Sequence, residues 1–273
     1  AEQPTAFGWY HLAWVVLVVL LLRGAWQLRA LPRRRQDQVL VAIAVTQLLF
    51  EIGKQLLYLT SELEDDYWWF VFPLQPCSVG MFAMLVTGLL RPGKVKSAFE
   101  AFMVFYALYF GMSAIVYPTA IFSTYYAYVL FQSPFHHALL VTAAGYLLMC
   151  HRVAPTWRRF AQGTAVFAAC CVSAVIINIA THPYFATHET DGILNAFYMG
   201  PYELWDIPLV GWIVAGKGWA AYLMFYLPSM VLLAFAAWAV AALAWKAMRV
   251  ETAALIAPTE TEPTGEYTTS IGT

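Results

Sequence analysis

Seven apolar stretches, each long enough to cross a bilayer as a helix, constrain this chain more than any other feature. They are residues 9–28, 38–60, 68–90, 98–118, 126–150, 160–181 and 219–245. With 61% hydrophobic and 11% charged residues, the chain also has too little polar surface to cover a soluble globule. The pattern predicts an all-α, polytopic membrane bundle of seven helices, which forms one domain over residues 1–250.

The basic residues are concentrated in alternate loops between these stretches. Twelve of the 15 Lys and Arg residues lie in the segments RALPRRR, RPGKVK, HRVAPTWRR and WKAMR. Because short loops rich in Lys and Arg stay in the cytoplasm, this bias predicts a multi-pass protein of the cell membrane. Its N-terminus is then outside and its C-terminus is cytoplasmic. The net charge of -1 gives no indication of a nucleic-acid partner.

Two segments fall outside the predicted spans. The outer loop, residues 182–218, contains IPLVGWIVAG, which is too short to span but rich in apolar and aromatic residues. We expect it to lie in the membrane interface or to fold back as a lid. Residues 251–273 are polar and of low complexity, which is typical of a disordered cytoplasmic tail.

The second stretch carries a polar face. Its members are spaced so that all of them lie on one side of a helix: Gln47, Glu51, Lys54, Gln55 and Tyr58. Ionisable groups at membrane depth are energetically unfavourable and usually mark functional sites. The alternative is an internal ion pair between Glu51 and Lys54 that only fixes this helix against its neighbours.

The third stretch contains FPLQPCSVGMF, with two prolines, Gln75 and Cys77. Proline has no N–H, so Pro73 and Pro76 leave the carbonyls of Trp69 and Phe72 without helical partners, and we expect the third helix to bend or open there. Cys77 would lie about 13 Å below the outer end of the span. Glu51 comes to a similar depth on the second span.

The fifth stretch holds FQSPFHHALLV, which places His137 about 16 Å below the outer end and His136 slightly higher. Thiol, imidazole and carboxylate therefore meet at one level of the predicted bundle. A Cys–His pair with a carboxylate or amide that orients the ring is suited to acyl transfer through a thioester. The alternative is that the cysteine and the histidines are packing residues of the helix bundle. Supporting candidates are Glu51, Lys54, Gln47, Gln75 and Asn178.

The motifs PLQPCSVGMF, FHHALLV and FEIGKQLLY resemble the YwaF-like family of bacterial integral membrane proteins. A vertebrate relative of that family is a transmembrane acyltransferase that remodels ether phospholipids. The resemblance implies that Cys77 pairs with His137, or with His136, to transfer acyl groups between membrane lipids, without a bound cofactor. Bacterial members often have a histidine shortly before the cysteine, where this chain has Gln75 and Pro76.

Three other hypotheses remain open. His136 or His137, together with His182, could hold a b-type haem. The segment THPYFATHETD offers metal-ligand types in His182, His188, Glu189 and Asp191. Finally, the protein could be a non-catalytic subunit or scaffold with protein partners in a membrane complex, or a transporter-like protein, with the Glu51 face serving assembly or ion passage.

Overall fold

A computed structural model describes residues 3–60, 69–122, 126–188, 193–202, 204 and 210–256, with the backbone alone at 120, 210 and 249–256. Within these residues the protein is helical and has no β-strand. Its helices are α1 (Trp9–Gln27), α2 (Arg33–Thr60), α3 (Pro76–Leu89), α4 (Lys94–Val116), α5 (Ala127–Met149), α6 (Trp157–Thr187), α7 (Val210–Val214) and α8 (Gly218–Ile256). Helix α4 contains a π-helical turn at Met103–Ala107.

Six segments of the described chain have both the length and the apolar composition of a membrane span. They are Trp9–Gln27, Arg33–Thr60, Trp69–Leu89, Lys94–Val116, Trp157–Thr187 and Gly218–Met248. Helix α5 has 23 residues, or about 34 Å, but His136, His137 and Gln132 lower its hydropathy. The all-α class is therefore confirmed for the described residues, and six helical segments are candidate membrane spans; the seventh crossing and the orientation stay predictions.

Helix α5 lies at the centre of the bundle, in contact with α1, α2, α3, α4 and α8. Most of its residues are buried, and Leu140, Ala143, Tyr146 and Leu147 are fully inaccessible. A helix that faces protein on most sides can carry polar side chains at membrane depth, because neighbouring helices bond them. This position explains why the histidine pair is tolerated there.

The third predicted span opens at its prolines, which is one of the two expected outcomes, and does not continue through them as one bent helix. A short 3₁₀ turn at Trp69–Val71 is followed by non-helical residues 72–75, and α3 begins at Pro76. Proline suits this first helical position because the N–H it lacks has no helical partner there. The carbonyls of Trp69 and Phe72, expected to lose their partners, accept from the N–H groups of Phe72 (3.2 Å) and Leu74 (2.7 Å).

Pro134 is inside α5. It cannot donate to the carbonyl of Leu130, one turn earlier. That carbonyl instead accepts from the hydroxyl of Tyr10 on α1, at 3.0 Å. The proline is therefore accommodated by a neighbouring helix.

The predicted outer loop, residues 182–218, is partly helical and partly buried. Helix α6 continues to Thr187, and residues 194–200, here called the inner loop, enter the bundle. Within this predicted lid, residues 207–209 of the stretch IPLVGWIVAG lie outside the described residues, and Trp212 on α7 is 78% exposed. The tail expected from residue 251 begins with helix as far as Ile256, and residues 257–273 lie outside the described part.

An ion network closes the end of the bundle that carries most basic residues, called the basic end. Arg152, in the loop after α5, is 2% exposed at its side chain and forms ion pairs with Glu100 of α4 and, at 2.7 Å, with Asp37 of α2. Lys96 binds the other Asp37 oxygen at 2.7 Å. Burial lowers the pKa of Arg152, but Glu100 and Asp37 outweigh burial and raise it overall. The network therefore stays charged and ties these elements together.

Candidate functional site

His136 lies directly against Cys77. Its Nε2 is 3.2 Å from the backbone carbonyl oxygen of Cys77, and since a carbonyl only accepts, Nε2 carries the hydrogen. The other ring nitrogen, Nδ1, is then the unprotonated one, and it is buried without a partner among the described residues. Helices α3 and α5 thus bring the predicted cysteine and histidine together, with the imidazole on the cysteine backbone.

His137 has the opposite tautomer. Its Nδ1 lies 2.7 Å from the carbonyl oxygen of Ser133, one turn earlier on α5, so Nδ1 donates and Nε2 keeps a free lone pair. The two rings meet edge to face, with centroids 5.5 Å apart. Both histidines are buried, and both lie within electrostatic range of Lys54. The pair therefore forms one cluster with the polar face of α2.

Cys77 is the second residue of α3 and is half-buried. At a helix start the first N–H groups have no helical partner. The first helical bond of α3 runs from the N–H of Val79 to the carbonyl of Gln75, at 3.0 Å. The N–H groups of Cys77 and Ser78 come before it and therefore have no partner within the helix. The hydroxyl and N–H of Ser78 also lie close enough to interact with the Cys77 sulfur. Ser78 thus places two hydrogen-bond donors beside the thiol.

Glu51 is the centre of a hydrogen-bond network that links α2 to α5. Its Oε1 lies 2.9 Å from Lys54 Nζ and accepts from Gln55 at 2.6 Å, while Oε2 accepts from Gln132 at 3.2 Å. Both oxygens are therefore occupied. Gln132, one turn before His136 on the same face of α5, was missed by the sequence analysis, although that spacing could have identified it.

Gln47 and Gln75 hold backbone groups around the cluster. Gln47 donates to the carbonyl of His136 at 2.7 Å, which ties the histidine-bearing turn of α5 to α2. Gln75, immediately before α3, donates to the carbonyls of Phe70 and Asn195 at 3.3 and 3.2 Å. The structure thus makes both predicted supporting residues positioning groups.

Asn178, on α6, is far from Cys77 in the sequence, and it anchors the inner loop. Its Nδ2 donates to the carbonyl of Ala196 at 3.0 Å, and its Oδ1 accepts from the Ala196 N–H at 2.7 Å. The neighbouring Phe197 donates its N–H to Leu74, at 3.0 Å, just before α3. Tyr198, also in this loop, lies within electrostatic range of Cys77. The inner loop thus covers the start of α3; the sequence predicted a lid for residues 182–218 as a whole and did not single out residues 194–200.

The haem and metal hypotheses gain no support. His136 Nε2 and His137 Nδ1 are bonded to carbonyls, and the ring of His182 is stacked on Tyr202. Among the residues that the structure describes, no three His, Cys, Asp or Glu side chains could hold a metal ion together. Glu189 and Asp191 lie outside the described residues, so that hypothesis stays untested.

The chain was compared with known proteins. No curated protein and no solved structure matched it. A family model described as the TMEM164 family matches residues 6–242, a range that includes Cys77, both histidines, the polar face of α2 and the inner loop. Since this match covers most of the sequence, the protein belongs to the TMEM164 family of transmembrane proteins.

Proposed function

We propose that the protein is a membrane-embedded lipid acyltransferase in which Cys77 carries the acyl group as a thioester. The observation that supports this most directly is the contact of His136 with the Cys77 backbone, 3.2 Å from Nε2 to the carbonyl oxygen. His136 is the proposed base because its ring contacts Cys77. The proton would go to the unprotonated Nδ1, which has no partner among the described residues, so the imidazole has to turn this nitrogen toward the thiol.

In the first half-reaction the imidazole of His136 takes the thiol proton of Cys77, and the thiolate attacks the ester carbonyl of a donor lipid. A carbon–sulfur bond forms and the ester carbon–oxygen bond breaks. The departing alkoxide of the lyso-lipid receives the proton from the imidazolium. The N–H groups of Cys77 and Ser78 at the start of α3 are suited to stabilise the oxyanion of the tetrahedral intermediate.

In the second half-reaction the hydroxyl of an acceptor lipid gives its proton to His136 and attacks the thioester carbonyl. The carbon–sulfur bond breaks, and the Cys77 thiolate recovers the proton. Water must be kept out, because hydrolysis would release the fatty acid. The inner loop supports this requirement, since Ala196 and Phe197 are buried against the bundle and Phe197 is bonded to Leu74.

The test is a search for the thioester. Purified protein is incubated with phosphatidylcholine vesicles whose acyl chains carry an alkyne, and the labelled protein is treated with hydroxylamine, which cleaves thioesters. We expect a hydroxylamine-sensitive acyl adduct on Cys77, which is absent from Cys77→Ala and retained in the matched control Cys171→Ala. Removal of a general base typically slows a reaction by about 10²–10⁴-fold, so His136→Ala should slow labelling by that factor and more than His137→Ala. No adduct in the wild-type protein, with ester donors of several headgroups, would overturn the proposal.

A second candidate function is a non-catalytic scaffold in a membrane complex. The observation that favours it is the fully occupied Glu51 carboxylate, bonded by Lys54, Gln55 and Gln132, since such a network can simply fix α2 against α5. Cellular lipid profiles that do not change in Cys77→Ala, together with loss of a co-purifying protein in Glu51→Gln, would favour the scaffold. Changed lipid profiles in Cys77→Ala, together with an unchanged co-purifying protein in Glu51→Gln, would favour the enzyme.

We further propose that α5 is a seventh membrane crossing, with the N-terminus outside and the C-terminus cytoplasmic. The central position of α5 and the basic residues in alternate loops support this arrangement. Single-cysteine variants in a cysteine-free background provide the test. An impermeant maleimide should label position 5 in intact cells and position 93 only after lysis; labelling of position 93 in intact cells would contradict the arrangement.

A further inference from the structure

A long apolar groove lies on a different part of the bundle from the cysteine–histidine cluster. It has a volume of about 530 Å³ and is formed by α3, α4, α6 and the inner loop, a size typical of small-molecule sites. Alanine, cysteine and serine side chains on α6, namely Ala165, Ala169, Cys170, Ser173 and Ala174, form one wall. These side chains are too small to fill the space between α6 and α4.

The groove runs along the bundle rather than into it. Its wall on α6 extends from Gln162 to Ile177 at the spacing of a single helical face, which corresponds to about 22 Å. Half of a hydrocarbon core about 30 Å thick is about 15 Å, so the groove is longer than one leaflet is deep. It ends beside Leu74 and Phe197. A single extended hydrocarbon chain fits this shape better than a compact ligand does.

The other end of the groove is positively charged and offers hydrogen-bond donors. Lys94, the exposed first residue of α4, lines it, and the free N–H groups of a helix start favour an anion. Gln162 also lines this end, and its Oε1 accepts from Arg159 at 3.3 Å and from Ser97 at 3.5 Å. Because its oxygen is engaged there, its NH₂ group remains as a donor on the other side. This charge is complementary to a phosphate.

We propose that the groove binds one acyl chain of an anionic glycerophospholipid, with the phosphate held by Lys94 and Gln162 at the basic end. The apolar wall would contact the acyl chain, and the Lys94 ammonium and the Gln162 amide would bind the phosphate. This site does not depend on the acyl-transfer proposal. Val79, which lines the groove, is two residues after Cys77 and therefore lies about 200° around α3 from it. The bound lipid would support the inner loop from the side opposite the thiol.

The experiment counts bound lipids. The full chain is reconstituted into vesicles of equal parts phosphatidylglycerol and phosphatidylcholine, extracted in mild detergent and analysed by native mass spectrometry. We expect one retained phosphatidylglycerol per protein. Ala169→Phe fills the groove and should reduce retention at least tenfold. The matched control is Val172→Phe on the same helix, at a side chain that is 61% exposed, and it should retain lipid as the wild-type protein does.

A second variant tests the headgroup without altering the packing. Lys94→Gln should reduce the preference for phosphatidylglycerol over phosphatidylcholine about fivefold, the effect of about 1 kcal/mol per basic residue near a membrane surface, whereas Arg91→Gln should not. Equal retention in Ala169→Phe and wild type, or an unchanged preference in Lys94→Gln, would overturn the proposal. If Ala169→Phe does not fold, the headgroup preference alone decides. Retention in Cys77→Ala should be normal, so failure of the acyl-transfer proposal leaves this result interpretable.

Discussion

Replacement of Asn178 by leucine should release the inner loop. In the native protein both backbone groups of Ala196 are bonded by this one side chain, at 3.0 and 2.7 Å, and Asn178 is only 3% exposed. Leucine has a similar volume but can neither donate nor accept. The substitution therefore leaves the buried N–H of Ala196 without a partner, whereas the Ala196 carbonyl still accepts from the N–H of Met199 at 3.1 Å.

The expected magnitude follows from the Ala196 N–H. A buried polar group that loses its partner costs about 1–3 kcal/mol, so the loop should be destabilised by about 1–3 kcal/mol relative to a locally open state in which water bonds this group. Since about 1.4 kcal/mol corresponds to a factor of ten, the lower value increases the opening equilibrium about fivefold.

Hydrogen exchange followed by mass spectrometry, on protein in lipid nanodiscs, measures this opening at the amides of residues 194–200. The matched control is Thr181→Val, on the same helix, because the Thr181 hydroxyl bonds only carbonyls of α6 itself. The control should exchange as the wild-type protein does. If Asn178→Leu leaves the protection of the Ala196 amide within threefold of the control, the inferred role of Asn178 is wrong.

Three further predictions concern stability, each measured as a change in the thermal unfolding of the purified protein. Tyr10→Phe should lower the free energy of unfolding by about 1 kcal/mol. The loss should be smaller in the Pro134→Ala background, because alanine restores a helical N–H donor to the Leu130 carbonyl. Equal losses in the two backgrounds would contradict the role of the Tyr10 hydrogen bond. Gly111→Ala should lower the free energy of unfolding by about 1–3 kcal/mol, because the added Cβ would lie 3.0 Å from a backbone oxygen of α5. In the control Gly24→Ala the added Cβ meets nothing within 4 Å, so the stability should be unchanged or increased. Arg152→Gln should lower the free energy of unfolding by about 3–5 kcal/mol, since it removes the close cationic partner of the buried Glu100 and one of the two partners of Asp37. Arg152→Lys should recover only part of this, because lysine lacks the guanidinium fork; full recovery would argue against the paired geometry.

The helical membrane class and most helix positions could be predicted from the sequence, because hydrophobic length and period are local properties. The same holds for the level of Cys77, Glu51 and the histidines, since depth follows from counting residues along each helix. The polar face of α2 was also correctly identified as facing the bundle: Gln47 and Glu51 are 1% and 2% exposed. These features depend on one segment at a time.

The sequence predicted that the third helix bends or opens at its prolines, but not that Pro76 begins α3. Pro76 read as a break within a helix, whereas it is the first residue of α3. A proline is compatible with both positions. Which one it takes depends on whether residues 72–75 find partners outside a helix, and here Leu74 accepts from Phe197. That partner is remote in sequence and leaves no local signal.

By itself, then, the sequence determined which segments form apolar helices long enough to cross a membrane and which polar side chains share one face of such a helix. Only the tertiary structure decided which of them meet: that His136 rather than His137 contacts Cys77, that Gln132 completes the Glu51 network, and that residues 194–200 enter the bundle. The physical reason is that buried polar groups must find partners, and those partners can be far apart in the chain. Gln75 and Asn195, separated by 120 residues, show this, because no periodicity or spacing in either segment indicates the other.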